Sequence, residues 1–150
     1  MTSPGPSLPL DVVLVEDNPA DVRLTTEILR DAATPTRLHV ASDGEEGLEV
    51  IRELGADRRL DLVLLDYNLP RKSGLEVLRE CKADPILRRI PVVVLSGSGD
   101  ERDVERCYEL HANAYVTKPL EFDRFNDVMR AIERFWLGIA TLPPEWAPPG

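Results

Sequence analysis

Residues 60–70 read LDLVLLDYNLP. The apolar run 62–65 is too short for a helix and is bounded by polar residues, the pattern of a strand buried on both faces of a parallel sheet. Asp66 follows the run directly. It therefore stands at the C-terminal edge of the sheet, where open α/β folds place their chemistry. Pro70 and Gly74 then turn the chain toward a helix.

Working outward from this strand, the chain alternates. Residues 11–15 form a short apolar strand ending in Glu16 and Asp17. Asn18 is a good N-cap with Pro19 at the first helical position. A helix runs to about residue 33, where Thr34-Pro35 breaks it. Residues 38–41 are a second strand, Asp43-Gly44 is a turn, and 45–54 are a second helix. After the central strand, 73–82 read as a third helix, and 90–95 (IPVVVL) as a second fully apolar strand ending in Ser96. Helix 101–111, the short strand 114–116 and helix 122–137 complete the order. Five strands alternating with five helices predict an α/β fold: a doubly wound parallel sheet in the order 2-1-3-4-5. Its switch point lies between the first and third strands.

The 150 residues fit one domain, expected over 10–137, with a disordered Pro/Ser/Gly-rich lead-in at 1–9 and a Pro-rich tail at 138–150. A formal net charge of −9 argues against a nucleic-acid partner, because no basic excess is present to neutralise phosphates. No membrane span or secretory signal is read, so a cytoplasmic location is expected. Cys81 and Cys107 lie in amphipathic helical patterns and read as reduced thiols. His39 and His111 have no metal-ligand spacing.

The residues at the strand ends form the candidate site: Glu16 and Asp17, Asp66, Ser96, and Lys118 after the fifth strand. Three carboxylates and one ammonium leave a surplus of negative charge that raises pKa values unless a cation intervenes. A bound Mg²⁺ brings the charge to zero, and hard carboxylate oxygens suit it. Metal, ammonium and hydroxyl around one carboxylate suit phosphoryl transfer to that carboxylate.

With VLVEDN, Asp66-Tyr67-Asn68-Leu69-Pro70 with Gly74, VVVLSG and Tyr115-Val116-Thr117-Lys118-Pro119 in order at successive strand ends, the chain resembles the receiver domains of two-component response regulators. The match spans residues 10–137 and implies the flavodoxin-like receiver fold. It also implies that Asp66 is the phosphoacceptor for a sensor histidine kinase. Asp17 and Asp66 then bind Mg²⁺ by side chains, Asn68 through its backbone carbonyl and Glu16 through water. Ser96 and Lys118 hold the phosphoryl group, and Ser96 and Tyr115 act as the switch. The resemblance also implies a cis peptide at Lys118-Pro119. Such a protein is a signalling phosphoprotein that catalyses only its own phosphorylation and dephosphorylation. Three positions depart from the commoner pattern: Glu16 for Asp, Ser96 for Thr, and Gly97 for Ala. The start EDNPADVRL and the end around Phe135-Trp136-Leu137 further resemble single-domain regulators that partner phytochrome-type kinases, which implies a light-sensing pathway.

Other readings are weaker. Glu16 and Asp17 also suit a helix start, and Ser96 suits an N-cap for the fourth helix. Gly97-Ser98-Gly99 lacks the third glycine of a dinucleotide loop and carries repelling acids. An interaction module working without phosphorylation leaves the three clustered carboxylates unused, and a Mg²⁺-dependent phosphatase lacks its second acid, since Asn68 stands there. The apolar positions of the last helix span an arc of about 140°. All of these positions can face the core, but the width also permits a partner surface and the aromatic content suits one, so a homodimer through a surface including Phe122, Phe125, Phe135 and Trp136 is expected.

Overall fold

The computed structural model describes residues 9–144. The lead-in at 1–8 and the end of the tail at 145–150 lie outside the described residues. Five parallel strands, β1 (Leu10–Val15), β2 (Thr36–Ala41), β3 (Leu60–Asp66), β4 (Val92–Ser96) and β5 (Ala114–Thr117), form one sheet in the order β2-β1-β3-β4-β5. This is the expected doubly wound order.

The helices α1 (Pro19–Arg30), α2 (Gly44–Ala56), α3 (Gly74–Ala83), α4 (Glu101–Glu109) and α5 (Phe122–Glu133) cover both faces. Alternation along each strand divides the core. Val13, Val15, Val63, Leu65, Val92 and Val94 pack with Leu48 and Ile51 of α2, Val77, Leu78 and Cys81 of α3, and Cys107 of α4. Val12, Leu14, Leu62, Leu64, Val93 and Leu95 pack with Leu24, Ile28 and Leu29 of α1 and with Phe125, Met129 and Ile132 of α5. The strands are the near-continuous apolar runs that two-sided burial demands. Both cysteines are free and buried.

Helix starts follow local chemistry. The Asn18 side chain accepts from the Ala20 and Asp21 amides, with Pro19 already at the helical φ. Asp43 caps α2, Ser73 caps α3 and Asp100 caps α4. Asp100 therefore takes the capping role that Ser96 was a candidate for.

The structure corrects the reading at three places. β4 begins at Val92 rather than residue 90, because Pro91 has no N–H for the ladder. A 3₁₀ turn, Leu87–Arg89, precedes it and was not foreseen. Among the described residues no peptide is cis, so Lys118-Pro119 is trans, the isomer that X–Pro bonds favour by about 0.5–1 kcal/mol.

The end of α5 departs most. From Arg134 to Ile139 the helix widens into a π turn. Buried positions run Phe125, Met129, Ile132 and then Leu137, a final step of five residues. A uniform 3.6-residue period would bury Phe135 or Trp136 instead. Phe135 is left 48% exposed, and Trp136 meets it edge-on with ring centroids 5.3 Å apart. The Thr34 hydroxyl, from the α1–β2 loop, donates to the Leu137 carbonyl at 2.9 Å and secures the turn.

Candidate functional site

The parallel register brings the ends of β1, β3 and β5 together. Glu16, Asp66 and Lys118 share the strand parity of the residues facing α1 and α5. Glu16 and Asp66 are buried, and Asp17, on the loop, is exposed. One carboxylate oxygen from each of the three lies within 4.8 Å of the others. This all-oxygen donor set fits a hard divalent cation. Asp17 and Asn68 line the same open depression with Tyr67, Leu69, Pro70, Ser73 and Leu75.

Lys118 is the cation of the cluster. Its ammonium donates to Glu16 Oε1 at 2.5 Å and lies 3.3 Å from Asp66 Oδ1. It also donates to Asp21 Oδ2 at 3.2 Å. Asp21 is the residue that sequence reasoning missed. An acid in the first turn of a helix ordinarily reads as a dipole partner. The available signal was its position four residues after Asp17, on the side of α1 that faces the strand ends.

Glu16 is engaged at both oxygens: Oε2 accepts from the backbone amides of Asp17 and Asn18 at 3.1 and 3.3 Å. Burial pushes its pKa up, to about 8, with Lys118 opposing the rise and Asp66 adding to it. Burial works against the Lys118 charge, yet Glu16, Asp66 and Asp21 outweigh it and hold that pKa above the ordinary value. The two shifts differ in cause: burial dominates at Glu16, whereas at Lys118 the three carboxylates of Glu16, Asp21 and Asp66 around the one ammonium favour its charged form.

Ser96 and Tyr115 sit on the opposite strand parity, toward α2, α3 and α4. Ser96 is fully buried, and its hydroxyl accepts from the Ser98 amide at 3.0 Å. The Tyr115 hydroxyl donates to the Ser98 carbonyl at 2.7 Å. The Lys118 amide donates to the Ser96 carbonyl at 2.7 Å, so the ends of β4 and β5 are fixed relative to each other.

The face expected to dimerise divides. Phe125 is only 7% exposed and packs in the core, so it is no part of an outer surface. It lies on the buried stripe with Met129 and Ile132, which the sequence pattern did not separate from the outer one. Phe122 and Phe135 are exposed, as are Leu120 and Ile139.

No helix among the described residues is long and apolar enough to cross a membrane. The profile of the response regulator receiver domain family matches residues 12–130. The chain is 43% identical over 138 residues to response regulator Rcp1 of Synechocystis sp., covering 90% of this chain and 94% of that protein. The crystal structure of the Mn²⁺-bound form of Rcp1 superposes with a TM-score of 0.86 at 42% identity, covering 91% of this chain and all of that one. The phosphorylated cyanobacterial phytochrome response regulator RcpA superposes with a TM-score of 0.85 at 45% identity, over 91% of this chain and all of that one. The receiver domain of the Pseudomonas aeruginosa sensor histidine kinase PA1611, with magnesium coordinated in its active-site cleft, superposes with a TM-score of 0.68 at 27% identity, over 87% of this chain and 99% of that one. With the acidic cluster, the lysine and the strand order all in place, the chain belongs to the response regulator receiver domain family and is related to the phytochrome response regulators.

Proposed function

We propose that this protein accepts a phosphoryl group on Asp66 from the phosphohistidine of a sensor kinase, in a Mg²⁺-dependent step. The observation that carries the reading is the surroundings of Asp66: a buried strand-end carboxylate 3.3 Å from the Lys118 ammonium and within 4.8 Å of Glu16 and Asp17 oxygens. An Asp66 oxygen attacks phosphorus, the N–P bond breaks, and the imidazole leaves as the aspartyl phosphate forms. Asp17, Asp66 and the Asn68 backbone carbonyl would hold the metal, with Glu16 reaching it through water, and the bound ion would supply charge neutralisation to the transferring group. Lys118 holds a second phosphoryl oxygen, and Ser96 donates its hydroxyl to a third.

The readout runs through the loop after β4. Ser96 moving toward the phosphoryl group gives up the Ser98 amide, and Tyr115 follows because its hydroxyl is bonded to Ser98. Two populations of this loop then present different partner surfaces. The kinase is of the phytochrome type, a reading supported by the relationship to Rcp1 and RcpA, and the protein works in the cytoplasm. A homodimer forms through the exposed Phe122 and Phe135 of the last helix, with the half-buried Trp136 beside them. Light scattering on the eluted protein tests that part, and a clean monomer at high concentration, phosphorylated or not, sinks it.

Intact mass after incubation with Mg²⁺ and acetyl phosphate tests the central claim. A base-labile gain of one phosphoryl group that needs Mg²⁺ and is absent in Asp66→Asn is expected. No gain in the native chain, with metal binding verified separately, favours an interaction module that works without phosphorylation.

A further inference from the structure

Lys118 is bonded on two sides. Glu16 and Asp66 lie on the strand-end side, and Asp21 lies on the α1 side at 3.2 Å. Asp21 is itself well placed to hold the ammonium. Its amide is taken by the Asn18 cap and its carbonyl by the Thr25 hydroxyl at 2.9 Å, so its backbone is fixed. Its side chain is 22% exposed and that of Lys118 14%, which limits screening by solvent.

The charge balance gives this contact a direction. Glu16, Asp17 and Asp66 with Lys118 and one divalent cation sum to zero. Asp21 leaves a surplus negative charge beside the one ammonium in the cluster. A phosphoryl group on Asp66 adds about one further unit of negative charge. It then competes with Asp21 for Lys118, and Asp21 also repels it.

We propose that Asp21 is a positioning residue that sets the strength of phosphoryl-group binding by drawing Lys118 toward α1. The inference rests on the phosphoacceptor reading of Asp66. Removing the charge of Asp21 releases the ammonium toward Asp66 and tightens the hold on a phosphoryl group or its mimic.

Beryllofluoride, which coordinates to a carboxylate as a phosphoryl mimic, is the probe. Its apparent affinity at saturating Mg²⁺ is measured for the native chain, Asp21→Asn, Asp21→Ser and, as a charge control on the same helix, Glu27→Gln. Two Asp21 variants guard against one that folds poorly, with the fold verified by circular dichroism. The Lys118 ammonium resonance is followed in parallel by ¹⁵N NMR. The affinity is expected to rise about fivefold in both Asp21 variants, the scale of one ion pair near a protein surface. The Lys118 resonance shifts with it, and Glu27→Gln changes neither. An unchanged or weaker affinity in the Asp21 variants overturns the proposal, as does an equal rise in Glu27→Gln. Native protein that binds Mg²⁺ but not beryllofluoride overturns the phosphoacceptor reading itself, and this inference with it.

Discussion

The Tyr67 hydroxyl donates to Asp103 Oδ1 at 3.0 Å, and the other oxygen of the same carboxylate accepts from the Ser98 hydroxyl at 3.0 Å. The residue after Asp66 is thereby joined, through one side chain of α4, to the loop after Ser96. Burial and the neighbouring Asp103 push the Tyr67 phenol up, so it stays a donor at neutral pH. Asp103→Ala removes the acceptor from two hydroxyls at once. It is expected to lower stability by about 1–2 kcal/mol and Tyr67→Phe by about 0.5–1 kcal/mol. Amide exchange at residues 98–100 should quicken in Asp103→Ala. Unaltered exchange there would mean the loop is held by other bonds.

The β3–α3 loop rests on the start of α2. The Gly44 amide donates to the Pro70 carbonyl at 3.3 Å, and a Cβ on Gly44 would lie 1.8 Å from the Lys72 carbonyl oxygen. That oxygen is backbone and has no rotamer to escape into. Gly44→Ala is expected to cost about 1–3 kcal/mol, as overpacking does, and to weaken Mg²⁺ binding by shifting the loop that carries Asn68. Gly97 is the control. Nothing lies within 4 Å of a Cβ built there, and its φ is not positive. Gly97→Ala should leave stability within about 0.5 kcal/mol of native. Equal losses in thermal unfolding would refute the distinction.

Clustered carboxylates repel until a cation arrives. Asp17→Asn is expected to raise the melting temperature in chelator, because one like charge is gone, and to shrink the gain on adding Mg²⁺. Full occupancy at a hundredfold excess over Kd gives the native chain about 2.7 kcal/mol. A scan with and without Mg²⁺ decides. An undiminished gain in the variant would remove Asp17 from the ligand set.

The opposite edge of the sheet supplies a pH dependence. Asp11 is buried, its oxygens accept from Arg37 Nε and Nη2 at 3.0 Å each, and His39 Nε2 shares Oδ1 at 3.0 Å. Burial works to raise its pKa, but His39 and Arg37 outweigh it and hold it below the ordinary 3.8. A depressed carboxylate stabilises the fold above the unfolded pKa and loses that contribution as pH falls through the folded value. Unfolding free energy from this group should therefore be constant above about pH 5 and decline below about pH 4. Asp11→Asn should cost about 1–3 kcal/mol at neutral pH and flatten that decline. Urea titrations from pH 3 to 7 (roughly the span of the carboxylate titration) measure both, and an identical acid limb in the variant would reassign it to other groups.

Features written in contiguous residues were readable in advance. The runs around Leu64 and Val93 could only be two-sided strands, and the acids and lysine at strand ends followed from the strand order. What escaped depends on geometry across the chain. Asp21 looks like an ordinary helix-start acid until α1 is folded against Lys118, 97 residues away. Tyr67 and Asp103 are 36 residues apart and meet only once α4 is docked. Phe125 and Phe135 share one apolar pattern, and the π turn that separates them leaves no mark in residue type.

That turn also governs what can be attached at this end of the molecule. Inserting one residue rotates the helical phase by about 100°. The chain then leaves the helix at Ala140, which is extended at φ −68° and ψ 144°. An engineered straight helical arm therefore cannot be spliced on after Ile139 as a continuation of α5. Grafted at Glu133 in regular α geometry, it would displace the Leu137 side chain from the core and break the bond to Thr34. A fusion that needs rigid transmission from the sheet to its cargo must retain the turn and accept the change in direction it imposes.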